Sequence, residues 1–100
     1  LADAHGKVVA STPAEGATLT TAPRSITLRF NEAVKLTALS IASAPAANVK
    51  LPLPAGKPQR EFTLTPPALA SGATELHWRA MGDDGHVVSG TLHFTIAAKP

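Results

Sequence analysis

The chain has 100 residues, 44% of them hydrophobic and 16% charged, with a formal net charge of +2. That is the size of one domain, too apolar for a disordered segment, and its Lys and Arg are scattered singly rather than gathered into a nucleic-acid surface. There is no Cys, one Met, one Trp and no Tyr; this excludes disulfides, thiolate metal sites and cysteine nucleophiles and argues against an aromatic platform for sugars or bases.

The first residues are Leu1-Ala2-Asp3-Ala4-His5. Ala2-x-Ala4 has the small-x-small pattern cut by signal peptidase; the competing reading is a short added or unprocessed segment. Cut after Ala4, residues 1–4 would be a remnant and residues 5–100 would form the domain, beginning at His5. From there the hydrophobic period is two rather than 3.6. Residues 7–11 alternate weakly, and turn signals follow at Thr12-Pro13, Glu15-Gly16 and Ala22-Pro23. In 25–31, Ile26, Leu28 and Phe30 alternate with Thr27 and Arg29. Weaker strands are expected at 36–43 and 49–53, separated by Ala44-Pro45. After Ala55-Gly56 come 61–65, then Pro66-Pro67, a stretch at 67–71 able to close one helical turn, and Ser71-Gly72. The last two strands are 75–80, built on Leu76, Trp78 and Ala80, and 91–96, built on Leu92, Phe94 and Ile96. Seven short strands with frequent turns predict an all-β single domain, a sandwich or Greek-key barrel. Its predicted core is Val8, Leu19, Ile26, Leu28, Phe30, Leu39, Ile41, Phe62, Leu64, Leu76, Trp78, Leu92, Phe94 and Ile96. No apolar run approaches the length of a membrane-spanning helix.

Chemistry can rest only on four His, seven carboxylates and the chain's amino group. In Asp84-Gly85-His86, residues two apart point to one side of an extended segment, so a carboxylate oxygen and an imidazole nitrogen can share a metal. The same residues also read as a tight hairpin turn, Gly85 tolerating a positive φ. If His5 is the first residue, its amine and Nδ1 add two nitrogens, and the resulting nitrogen–oxygen set favours Cu(II). Met81 is the lone sulfur donor. His77 and His93 fall on the polar phase of their strands. A hairpin centred near Gly85 would set them opposite each other, either as a weak metal pair or as two solvated side chains on an open face. Asp83 reads as a turn residue and Glu32 as a solvated charge at a strand end. No Gly-x-Ser-x-Gly elbow and no phosphate-cradling loop occurs.

Taken in order, these residues resemble the CopC family of periplasmic copper-binding proteins. The resemblance rests on His5-x-Lys7 with Ser11-Thr12-Pro13-Ala14-Glu15-Gly16, on Phe30-Asn31-Glu32, on Trp78-Arg79-Ala80-Met81 with Asp84-Gly85-His86 and Gly90, and on Phe94-x-Ile96. It implies an all-β, seven-stranded Greek-key barrel or sandwich, immunoglobulin-like or cupredoxin-like, holding Cu(II) through His5 (amine and Nδ1), Asp84 and His86. Glu32 matches a carboxylate near that site and Trp78 a core Trp near the hairpin. It further implies a monomer in the periplasm that sequesters or carries copper and passes it to a membrane partner of the CopD type. Residues 42–59 lack Met and His, so the Cu(I) site some members carry there is not expected. Val87 departs from the family's usual residue after the His, and retention of residues 1–4 would remove the amine ligand. Two other classes stay open: a metal-free immunoglobulin-like module, in which Asp84-Gly85-His86 is only a turn, and a copper enzyme with an N-terminal His brace, which the lack of surface aromatics disfavours.

Overall fold

The computed structural model describes residues 7–43, 48–54, 56–82 and 84–98. Among them are seven strands and no helix: β1 (Val8–Thr12), β2 (Ala17–Leu19), β3 (Ile26–Ser43), β4 (Val49–Lys50), β5 (Gln59–Leu64), β6 (Gly72–Gly82) and β7 (Val87–Ile96). The expected cut at residues 1–4 and the expected ligand His5 lie outside the described residues, as does Asp83.

β3 organises everything else. The alternation that starts at Ile26 runs on through Phe30, Glu32, Val34 and Leu36. A bulge between Leu36 and Ala38 then shifts the phase by one, so that Leu39, Ile41 and Ser43 face inward. The sequence predicts two strands here; the structure has one, because the inward position between the two apolar runs is taken by a carboxylate, Glu32. Its first half lies between β1 and β5, with Leu28 opposite both Ser11 and Phe62. From Val34 onward it pairs with β6, and Ser40 and Ile41 also pair with β4. A strand that leaves one set of partners for another is how antiparallel layers turn a corner, and it curls the order β1-β3-β6-β7-β2 around one core.

That core is the predicted one with three additions. Val34, Leu36 and Ala80 join it, whereas Val8 and Leu19 are only partly buried against it. Phe30 is its centre, edge-on to Phe62 at 5.9 Å and to Trp78 at 5.1 Å, the arrangement the ring quadrupoles favour.

Other expectations shift locally. β2 is too short to show a period; it runs parallel to β7 and is tied at both ends, Gly16 N–H donating to His93 C=O (2.7 Å) and Ala97 N–H to Leu19 C=O (2.7 Å). β4 stops at Lys50 rather than at Leu53, because Pro52 and Pro54 bring no backbone donor to a ladder. No helical turn forms at 67–71; a residue before proline avoids the helical region, and Gly72 already pairs with Ile96.

Candidate metal centre

β6 and β7 form a hairpin whose tip is the Asp-x-His segment. Gly82 N–H donates to His86 C=O and Gly85 N–H to Gly82 C=O, both at 3.0 Å, and Gly85 sits at φ 81°. These bonds close a tight hairpin turn whose left-handed position is taken by Gly85. The turn reading and the ligand reading are therefore compatible: the turn is what presents the side chains. Asp84 Oδ1 accepts from His86 N–H at 3.0 Å, and Asp84 Oδ2 lies 2.8 Å from His86 Nδ1. The imidazole is two-thirds exposed. The hydrogen bond to Asp84, then its negative charge, raises the His86 pKa above the ordinary 6.5.

Glu32 reaches the same place from β3. The sequence reading put it at a strand end; it lies inside the strand, half-buried, on the inward phase. A Cβ added at Gly82 would meet Glu32 Oε2 at 2.9 Å and Asp84 Oδ1 at 3.3 Å. Both carboxylates thus lie over one Cα, and the missing side chain is what admits them. Met81 is on the opposite phase of β6 from Gly82 and is exposed. Lys7, the first described residue, is held beside this group: its N–H donates to Asn31 Oδ1 (2.8 Å) and Asn31 N–H donates to its C=O (2.9 Å). Asn31 is the next residue to Glu32, a clamp the sequence did not announce. Among the described residues, no three His, Asp or Glu side chains already converge as a complete cage; the tip supplies a donor pair with a third carboxylate close by.

A family model, the CopC domain, matches residues 8–97. The chain belongs to the CopC family. It is 32% identical to copper resistance protein C of Pseudomonas syringae pv. tomato over 96% of this chain and 83% of that protein. Its backbone is similar to that of CopC from Methylosinus trichosporium OB3b, with a TM-score of 0.77 and 31% identity over 92% of this chain and 93% of that one. It is also similar to PcoC, a methionine-rich copper resistance protein from Escherichia coli, with a TM-score of 0.67 and 25% identity over 94% and 100%. The Pseudomonas and Escherichia relatives carry the names of copper resistance proteins.

His77 and His93 are not opposite each other. The hairpin is centred on Asp84 rather than Gly85, so His77 faces Thr91 and His93 faces Glu75. Nor are they isolated in solvent. His93 Nδ1 is 2.9 Å from Glu15 Oε2, and His77 Nε2 is 3.2 Å from Glu75 Oε1. Glu15 and Glu75 were missed, since nothing in a sequence places residue 15 beside residue 93.

Proposed function

We propose that this protein binds Cu(II) at the hairpin tip through His5, Asp84 and His86, with Glu32 alongside. The observation that carries this reading is the 2.8 Å separation of Asp84 Oδ2 and His86 Nδ1. That is the length of a hydrogen bond with its proton on the line between the two atoms; an ion taking the proton's place lies off that line, so a small turn of the two exposed side chains lets both donors reach it. On binding, an imidazolium at His86 releases one proton; a neutral ring moves its proton from Nδ1 to the solvent-facing Nε2. The carboxylates of Asp84 and Glu32 offset the ion's charge. His5 enters by chain length: it precedes Lys7, held at Asn31, by two residues, a reach of at most ~7 Å.

Nitrogen and oxygen donors suit Cu(II), whereas Cu(I) seeks sulfur. The single methionine faces away from Gly82, in contrast to the methionine-rich relative. A donor set without sulfur also suits an oxidising compartment, the periplasm. There the protein would sequester copper, or hand it to a membrane partner of the CopD type, acting as a carrier rather than an enzyme.

Cu(II) titration followed by electron paramagnetic resonance tests this, on chains beginning at His5 and at Leu1. One equivalent should give a tetragonal nitrogen–oxygen signal, weaker in affinity when residues 1–4 remain and lost in His86→Ala. Absence of that signal, or unchanged affinity in His86→Ala, would make the reading wrong.

A further inference from the structure

A second group of donors lies on the same hairpin, far from its tip. Glu75 and His77 are on β6, and Thr91 and His93 face them on β7, all four on one phase of the strands. His93 N–H donates to Glu15 Oε1 at 2.9 Å, and His93 C=O accepts from Gly16 N–H at 2.7 Å. The backbone of His93 therefore faces β2 and not β6. Glu75 and His93 are then a non-hydrogen-bonded pair, the kind whose side chains sit closest.

The ring protons follow from the partners. His93 Nδ1 is 2.9 Å from Glu15 Oε2, and an ionised carboxylate only accepts, so a neutral His93 carries its proton on Nδ1. Its Nε2 is left as a lone pair 3.8 Å from Glu75 Oε2. The other oxygen of that carboxylate, Oε1, is 3.2 Å from His77 Nε2, while His77 Nδ1 is held 3.1 Å from Thr91 Oγ1. One carboxylate thus stands between two imidazole Nε2 atoms; a neutral His93 turns a lone pair toward it, and a neutral His77 donates to it from Nε2 and would have to move that proton to Nδ1, beside Thr91, to ligate.

We propose that Glu75, His77 and His93 bind a tetrahedral divalent cation of the Zn(II) type, with Glu15 and Thr91 holding the two rings by their Nδ1 atoms. A carboxylate on the far nitrogen of a ligating imidazole is the usual orienting partner. Ligands of a tetrahedral ion with bonds of about 2.0–2.1 Å are about 3.3–3.4 Å apart. The two ring nitrogens lie 3.2 and 3.8 Å from different oxygens of Glu75, so reaching that spacing around one ion requires the side chains to turn. As placed in the structure the three donors do not form a metal-holding group; the proposal requires their side chains, 39–52% exposed, to turn toward one ion. His77 and Thr91 also line an open groove of about 600 Å³, with room for a water as fourth ligand. The proposal does not depend on the copper reading, since none of its residues belongs to the tip.

The test is Zn(II) binding by the full chain in a His86→Ala background, with metal counted by equilibrium dialysis and imidazole nitrogens followed by long-range proton–nitrogen NMR. One equivalent should bind, shifting Nε2 of both His77 and His93 while His93 Nδ1 keeps its proton. Adding His77→Gln or His93→Gln should weaken binding at least tenfold, and Glu15→Gln by about 10-fold or more. His77 is bonded to Thr91 and Glu75 rather than to Glu15, so its variant reports on the metal even if His93→Gln loosens the fold. No bound zinc, zinc that leaves both rings unshifted, or unchanged affinity in His77→Gln would each overturn the proposal. Failure of the copper signal in the unmodified chain would count against the tip alone.

Discussion

Gly90→Ala is expected to destabilise the hairpin that carries both donor groups. Gly90 lies opposite Trp78 in the β6–β7 ladder. A Cβ there would stand 2.6 Å from Cζ2, 2.8 Å from Cε2 and 3.1 Å from Nε1 of the indole. Carbon atoms rest about 3.5–4.0 Å apart, so the overlap is close to 1 Å, and it is with a rigid ring. The indole has nowhere to retreat, because its other side is edge-on to Phe30, which is itself edge-on to Phe62. Tilting Trp78 off its rotamer costs about 0.5–1.5 kcal/mol, and disturbing the aromatic pair a similar amount; their sum falls in the ~1–3 kcal/mol range of overpacked cores. Alanine restricts the unfolded chain more than glycine does, which returns about 0.4–1 kcal/mol. The net loss is about 1–2 kcal/mol, and for a domain of this size each kcal/mol moves Tm by about 4–8 °C. Trp78 is the only tryptophan, so its fluorescence reports urea unfolding directly, with Ser89→Ala, an exposed neighbour, as control. A Gly90→Ala protein as stable as its parent would mean that the indole has slack, and the packing argument would be refuted.

Gly82→Ala should behave in the opposite way. Its Cβ meets only the flexible ends of Glu32 and Asp84, so the unfolding midpoint should barely change while Cu(II) affinity falls; equal affinity would remove Glu32 from the site. In proton NMR His86 should titrate above 6.5, and Asp84→Asn should bring it down, because Asp84 is the main cause of the rise. A raised imidazole value stabilises the fold at pH below the unfolded value and loses that contribution as pH rises through the folded one, so the stability gap between parent and Asp84→Asn should close toward alkaline pH. Because protons and copper compete for His86, copper affinity should begin to fall as pH drops below the His86 midpoint. Glu15 has its pKa lowered, chiefly by the His93 backbone N–H. Its contribution should be present above about 4.5 and disappear as pH falls through the lowered value, so Glu15→Gln and parent should converge in acid.

How far the sequence reached depended on whether a feature was local. Strict alternation around Ile26, Phe62, Trp78 and Phe94 is a period-2 signal, and each of those strands is where the pattern predicts it. The fused β3 was not legible, because Glu32 interrupts the apolar phase without interrupting the strand. The Asp84 and His86 pairing was legible because two residues and a glycine fix their relation. The approach of Glu32 was suggested only by the family resemblance and by nothing local, since it depends on an empty space at Gly82 fifty residues away. The position of His93 turned on a one-residue choice of hairpin centre. Shifting the centre from Gly85 to Asp84 changes its partner from His77 to Glu75, and a pair of histidines becomes a histidine–carboxylate chain.

The two donor groups should fill independently. From His86 to His93 is seven residues of extended chain, roughly 23 Å at 3.3 Å per residue. Direct transfer of an ion between them would need donors close enough to share it, so an ion at the tip would not pass directly to the second group. Repulsion is weak as well. Two doubly charged ions at that distance in water interact by at most about 0.7 kcal/mol, and with a screening length of about 8 Å at physiological salt this drops below about 0.1 kcal/mol. Protein preloaded with Zn(II) at Glu75, His77 and His93 should therefore bind Cu(II) at the tip with an affinity unchanged within a factor of about two. Competition dialysis with both metals measures this. A larger loss of copper affinity would mean that zinc had entered the tip.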